Sequence, residues 1–181
     1  MRFDKLTTKF QQAFADAQSL ALGNDCGFIE PQHLLAALLA QEDGGTTSLL
    51  ARAGVAVPKL QAALKASIGR LPKVEGTGGE IGVSRDLNNL FNLTDKEATK
   101  RGDQFIASEL FLLALAGDKS DTGRLAREHG LDRKALEAAI DAVRGGAGVD
   151  TQEAEGQREA LKKYTIDLTE RAREGKLDPV I

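Results

Sequence analysis

Apolar residues recur along the start of the chain with the spacing of one helix face, which predicts an amphipathic helix over residues 7–22. That face comprises Leu6, Phe10, Ala13, Phe14, Ala17 and Ala21. Pro31 suits the first turn of a second helix, and the residues up to position 40 are apolar on nearly all sides, as in a central buried helix. A third helix over residues 46–53 ends before Gly54, a typical left-handed cap, and a fourth opens at Pro58.

This pattern of helices occurs twice. Residues 28–38 return, in the same order of apolar and polar positions, as residues 105–115, and residues 49–54 return as residues 125–130. In the second copy Ser84, Ser108 and Asp132 are predicted helix N-caps, and a further helix is expected at residues 124–128. The repeat spacing is longer than that of short solenoid repeats. The sequence therefore predicts an all-α fold in which two pseudo-symmetric four-helix repeats pack into one domain.

Changes in composition mark the expected boundaries. Residues 1–72 form the first repeat, and residues 73–83 are a Gly-rich connector with too few β-branched residues for a stable strand. The second repeat covers residues 84–146, and a charged linker follows over residues 147–181. Within that linker, charges alternate in sign at helical spacing over residues 151–163, which predicts a solvated linker helix. The apolar ending without a cap suggests a fragment of a longer protein.

Composition and charge exclude several classes of function. The 181 residues are 41% hydrophobic and 28% charged, as in a globular protein that is not embedded in a membrane. The formal net charge of -3 offers no basic field for phosphates, so we expect no nucleic-acid partner. The amino-terminal residues contain no apolar stretch long enough for a signal peptide or a membrane span. One cysteine, Cys26, allows no internal disulfide, and a cytoplasmic protein is expected.

The residues that carry most enzyme chemistry are scarce. Cys26, His33 and His129 provide neither a clear nucleophile and base pair nor a metal-ligand cluster. We expect His33 to be a hydrogen-bonded core residue and His129 to mark a helix end. The glycines at residues 76–79 lack the Lys-Ser/Thr ending of a phosphate loop, and residues 118–121 are too short for a calcium loop. A hydrolase is therefore not expected, nor is a cofactor or metal site in this chain.

The second repeat contains more large apolar side chains around its first two helices than one buried stripe requires. They are Leu90, Phe91, Leu93, Phe105, Leu110 and Phe111. One interpretation is that all six fill the core between the repeats. The other is that some line a groove that binds amphipathic or extended segments of a partner. Periodicity alone favours the first interpretation.

Several segments resemble the N-terminal domain of the ClpB family of bacterial disaggregases. They are residues 1–10, 15–21, 28–34, 71–79, 100–110 and 160–170. The resemblance covers essentially the whole chain and implies a substrate-engaging domain followed by the linker to a first ATPase module. In that family the full-length protein is a hexamer that uses ATP and magnesium and acts with the DnaK system. This chain ends before the family's Walker A loop, so we expect no enzyme activity, and we expect the fragment to be monomeric.

The resemblance also implies a binding site for exposed apolar segments of unfolded or aggregated proteins. Its polar positions are Thr7, Asp103 and Glu109, and its apolar positions are Leu93 and Leu110. With the neighbouring apolar residues, the expected substrate-binding set is Thr7, Leu90, Phe91, Leu93, Asp103, Phe105, Glu109 and Leu110.

The polar members of this set have alternative structural roles. Thr7 is a residue type that commonly caps a helix N-terminus. Glu109 can be an acidic residue in the first turn of a helix, where the helix dipole favours a negative charge. Glu97 departs from the family pattern, because relatives often present an apolar groove residue there; its charge is expected to favour clients that are both basic and apolar. The alternative function is adaptor docking, as in the unfoldases that feed the Clp protease.

Overall fold

The computed structural model describes residues 2–75 and 80–162. A 3-10 turn, Phe3–Lys5, precedes eight helices and two short strands in this part of the chain. They are α1 (Thr8–Gly23), β1 (Phe28–Ile29), α2 (Pro31–Ala40), α3 (Thr46–Arg52), α4 (Val57–Gly69), β2 (Gly82–Val83), α5 (Arg85–Arg101), α6 (Ser108–Ala116), α7 (Asp121–Glu128) and α8 (Arg133–Arg144). Residues 154–162, here called the linker helix, are also helical. The predicted all-α architecture of two four-helix repeats is confirmed, with α1–α4 in the first and α5–α8 in the second.

The two repeats interlock rather than stand side by side. Helix α3 of the first repeat packs against α8 of the second, and α7 packs against α4. Ile29 pairs in parallel with Val83, and the residues equivalent to these two by the repeat, Ile106 and Leu6, form a parallel bridge. The expectation that the connector forms no strand is thus wrong at its end. The connector contributes only two residues to this pairing, and β1 of the first repeat supplies the partner strand.

Side-chain caps define the starts of four of the helices α1–α8, three of them as expected. Thr7, Ser84 and Asp132 each accept a hydrogen bond from a backbone N–H in the first turn of α1, α5 and α8, respectively. The prediction for Ser108 is wrong: Ala107 is the N-cap residue, and Ser108 is the first residue of α6. Helix α7 also begins earlier than predicted, because Ser120 caps it.

The core is continuous across the two repeats and is centred on Phe10. Its ring centroid lies 6.3 Å from that of Phe91 and 6.2 Å from that of Phe111. Leu90 and Leu110 are fully buried in the same cluster. The core interpretation therefore holds for these four residues of the second repeat. It is wrong for Leu93, which is 38% exposed, and incomplete for Phe105, which is half-buried.

His33 is a buried, hydrogen-bonded residue, as predicted. Its Nδ1 atom accepts a hydrogen bond of 2.9 Å from the backbone N–H of Glu30, which stabilises the start of α2. Burial lowers the pKa of His33 to about 4. The ring is therefore neutral at neutral pH and serves the fold rather than acid–base catalysis.

We expect this histidine to make the domain acid-sensitive. The His33 ring takes up a proton near pH 6.5 in the unfolded chain but only near pH 4 in the folded chain. Its contribution to the free energy of unfolding is therefore fully present above pH 6.5 and is lost as the pH falls from 6.5 to 4. The expected loss is about 3 kcal/mol. Urea unfolding at a series of pH values measures it, and the repeat supplies the matched variant, His33→Leu, because Leu110 occupies the equivalent position. If the free energy of unfolding of that variant fell between pH 6.5 and pH 4 as steeply as that of the unmodified chain, other groups would cause the loss.

Candidate binding surfaces

The three predicted polar site residues, Thr7, Asp103 and Glu109, lie together in a buried cluster. Arg144, at the end of α8, joins two of them: its Nη1 atom lies 2.9 Å from Asp103 Oδ2 and its Nε atom lies 3.1 Å from Glu109 Oε1. The side chains are almost inaccessible, with exposed fractions of 7% for Arg144, 1% for Asp103 and 3% for Glu109. Charges so deeply buried persist only when they are paired in this way.

The linker helix completes the cluster. Arg158 donates two hydrogen bonds to the carboxylate of Glu109, at 3.1 and 3.2 Å, in the bidentate geometry that guanidinium groups favour. Glu155 Oε2 accepts hydrogen bonds from Thr7 Oγ1 at 2.6 Å and from the backbone N–H of Ser108 at 3.1 Å. Glu155 therefore performs the capping of α6 that was predicted for the Ser108 side chain. The expectation of a fully solvated linker helix is wrong for the face that carries Glu155 and Arg158.

The cluster contains three carboxylates and two guanidinium groups, so one negative charge is in excess. Burial and the nearby Glu109 carboxylate raise the pKa of Glu155. Burial also acts to raise the pKa of Glu109, but Arg158 and Arg144 together hold it below its usual value. Glu109 is thus the charged partner of both arginines, and ionisation of Glu155 is disfavoured. In this structure Thr7 and Glu109 face the chain's own linker helix rather than an open groove, and Asp103 pairs with Arg144.

An open apolar groove lies instead on the first repeat, between α1, α2 and α4. We call it the first-repeat groove; its volume is about 490 Å³. It is lined by Leu20, Asn24, Ala36, Gln61, Leu64, Lys65, Ile68 and Gly69. The leucine, isoleucine and alanine side chains form an apolar floor, and the polar residues form the rim. Such a surface binds apolar side chains without demanding one sequence, because apolar contacts are non-directional.

The equivalent surface of the second repeat carries charge. Glu97 replaces Leu20 and Arg133 replaces Val57 at the corresponding positions. The Nη2 atom of Arg133 lies 2.7 Å from Glu97 Oε1, and its Nε atom lies 2.8 Å from Glu137 Oε1. The Glu97 side chain is only 14% exposed. The Glu97 charge is therefore not free, since Arg133 already pairs with it, and its effect on client preference stays a prediction.

Comparison with known proteins places the chain in a family. Residues 5–129 match the family described as Clp repeat (R) N-terminal domain. The chain belongs to this family. Over 181 residues it is 51% identical to the chaperone protein ClpB of Vibrio cholerae and 50% identical to that of Pseudomonas putida. These alignments cover 100% of this chain and 21% of each relative, so the chain spans about a fifth of their length.

Solved structures of Clp repeat domains share the fold. The Hsp104 N-terminal domain from Candida albicans has a TM-score of 0.73 at 20% identity, over 83% of this chain and 99% of that one. The N-domain of ClpV from Vibrio cholerae has a TM-score of 0.66 at 19% identity, over 84% of this chain and 89% of that one. The predicted resemblance to the ClpB N-terminal domain is confirmed.

Metal ligands, membrane-spanning helices or a reactive cysteine thiol could give this Clp repeat domain further chemistry. Within residues 2–75 and 80–162, His, Cys, Asp and Glu side chains form no group of three or more suited to a metal ion. None of the helices in the same ranges is long and apolar enough to cross a membrane. Cys26 is buried, and burial raises the pKa of its thiol, which disfavours the reactive thiolate. Residues 76–79 of the predicted connector and residues 163–181 of the predicted linker lie outside the described residues.

Sequence reasoning missed four charged residues that shape these surfaces, namely Arg133, Arg144, Glu155 and Arg158. Glu155 and Arg158 belong to a stretch whose alternating charges are typical of a solvated helix. Arg133 stands at the start of α8, where nothing nearby in the sequence identifies Glu97 as its partner. A signal does exist in the repeat itself. Aligning the two copies shows that apolar positions of the first repeat are replaced by Glu97 and Arg133, an opposite-charge pair.

Proposed function

We propose that this Clp repeat domain is the client-engaging module of a ClpB-type chaperone, which holds exposed apolar segments of unfolded or aggregated proteins weakly. The observation that supports this most is the first-repeat groove, an open channel with an apolar floor and a polar rim. Its small size limits the area that a client can bury, which keeps binding weak and release rapid. In the full-length protein the client passes on to the channel of an ATP-driven hexamer that cooperates with DnaK.

Leu93 is a second candidate contact for clients. It is the one apolar residue of the predicted set that is exposed on the surface, at 38% of its area. Leu90 and Leu110, by contrast, are fully buried, so changes there act through the core. A ClpV N-domain of the same fold has been solved in complex with a VipB peptide, which supports peptide binding by this architecture.

Titration of an unfolded polypeptide such as casein into the isotope-labelled chain tests the proposal. We expect amide chemical-shift changes around Leu20, Leu64 and Ile68, and about fivefold weaker binding for Leu20→Lys, because burying part of a leucine is worth about 1 kcal/mol. Val74→Lys is the matched control, since Val74 is 42% exposed and does not line the groove. It should bind as the unmodified chain does.

Other results distinguish the alternatives. Shifts that cluster around Leu93 and persist in Leu20→Lys would move the client site to the second repeat, as the sequence suggests. Absence of any shift at high casein concentration would overturn client binding. Tight binding to a folded adaptor protein in that case would support the adaptor-docking role.

A further inference from the structure

The surface that binds the linker helix has a counterpart in the other repeat. The linker helix lies against α3, the start of α6 and the end of α8. By the repeat, these correspond to α7, the start of α2 and the end of α4. A groove of about 470 Å³, here called the α2–α7 groove, is open at that position. It is lined by Gln32, Ser67, Arg70, Leu71, Pro72, Asp121, Arg124, Leu125 and Glu128.

A buried polar atom in this groove lacks a partner. Gln32 is 5% exposed, and its Nε2 atom donates a hydrogen bond to Ser67 Oγ at 3.2 Å. Its Oε1 atom has no hydrogen-bond partner among the described residues. Gln32 stands at the position of Glu109, which binds Arg158 of the linker helix in the other repeat. Since buried polar atoms are normally satisfied, Gln32 Oε1 indicates a ligand with a hydrogen-bond donor.

The residues around the α2–α7 groove disfavour an acidic side chain one helical turn before the donor of such a ligand, at the position that Glu155 has relative to Arg158. In the occupied surface, the linker helix places Glu155 against Thr7 and the N–H of Ser108. In the α2–α7 groove, Pro31 replaces Ser108 and has no N–H to donate. Ser84 replaces Thr7 and is already hydrogen-bonded to the carboxylate of the chain's own Glu30. An incoming carboxylate would therefore meet Glu30 without a partner.

The charge around the groove favours a basic ligand. Asp121 and Glu128 line it together with Arg70 and Arg124, and Arg124 already forms an ion pair with Asp121. The lining alone is therefore neutral, and the excess of acidic groups comes from Glu30 and Asp86 at the starts of α2 and α5. Besides burial, the nearby Asp86 and Asp121 carboxylates raise the pKa of Glu30, which shows that acidic groups converge at this end of α2. A basic side chain that reaches Gln32 would also lower this accumulated negative potential.

We propose that the α2–α7 groove binds a short amphipathic helix of a partner protein, which presents an arginine or lysine to Gln32 Oε1. An apolar residue of the same helix packs against Leu71 and Leu125, as a helix does in a groove. This site is separate from the first-repeat groove, so a partner helix and an unfolded client have different contacts on the domain. The two binding events can therefore be tested independently.

A peptide with the sequence of residues 150–162 and the change Glu155→Lys is a suitable probe, because it keeps Arg158 and removes the excluded acid. We expect it to shift the amide resonances of Gln32, Ser67 and Leu125. The variant Gln32→Glu recreates the Glu109–Arg158 pair and should bind the probe about tenfold more tightly, since charge-assisted hydrogen bonds are the stronger ones. Gln12→Glu, the same change at an exposed position of α1 that lines neither groove, is the matched control and should stay within about twofold.

The probe also separates this site from the surface of the linker helix. The unmodified peptide should bind more weakly than the Glu155→Lys peptide, and Leu125→Lys should weaken binding of either. Shifts confined to Thr7, Ser108 and Glu109 would mean that the probe only displaces the linker helix, and would overturn the proposal. So would equal affinities of the Gln32→Glu and Gln12→Glu variants, since a general effect of charge would then explain the binding.

Discussion

Replacing Arg144 with alanine is expected to lower the free energy of unfolding by about 3–5 kcal/mol. The guanidinium group is 7% exposed and is the ion-pair partner of Asp103, whose carboxylate is 1% exposed. Without it, the Asp103 carboxylate keeps, within the part of the chain that the structure describes, only a long hydrogen bond of 3.4 Å from the N–H of Val149. Glu109 retains Arg158, so the penalty arises mainly from the uncompensated charge of Asp103. Urea unfolding followed by far-ultraviolet circular dichroism measures the change, because the chain contains no tryptophan.

A surface ion pair provides the control. Arg101 lies 3.4 Å from Asp141, and the Asp141 side chain is 70% exposed. Arg101→Ala should therefore cost less than about 1 kcal/mol. Adding Asp103→Asn to Arg144→Ala should recover part of the loss, because it removes the unpaired charge. If the two single arginine variants were equally stable, the buried cluster would contribute no more than an exposed pair.

The helices and the core follow from local patterns in the sequence. The spacing of Phe10, Leu90 and Leu110 identifies buried faces, and these residues are fully buried. Caps such as Thr7 and Ser84 are equally local, because the side chain bonds a backbone N–H only three residues ahead. These features need no knowledge of the tertiary structure.

The binding surfaces depend on partners that are distant in sequence. Thr7 forms a hydrogen bond with Glu155, and Glu109 forms one with Arg158. In the sequence, Glu155 and Arg158 look like any exposed charged residues of a helix. Glu97 has the appearance of a free charge until Arg133 is found beside it. The short strands have the same origin, since Val83 pairs with Ile29 of the other repeat. Periodicity within one helix carries no information on these contacts.

The position of Phe10 predicts that the two repeats unfold together. This residue of the first repeat is fully buried against Phe91 and Phe111 of the second, and its ring also fills the centre of the shared core. Phe10→Ala should lower the free energy of unfolding by about 3–5 kcal/mol, through lost apolar burial and the cavity that remains. Phe28→Ala is the matched control, because Phe28 is 57% exposed, and it should change stability by less than about 1 kcal/mol.

The shape of the unfolding curve tests the shared core more strictly than the size of the effect. If Phe10 stabilises both repeats, the variant should still unfold in one transition, with a lower midpoint and an unchanged dependence on urea concentration. Two transitions, with only the first shifted by the substitution, would show that each repeat has a core of its own. The interlocked packing of α3 on α8 and of α7 on α4 argues for the single transition, because neither repeat can lose its helices without exposing the apolar faces of the other.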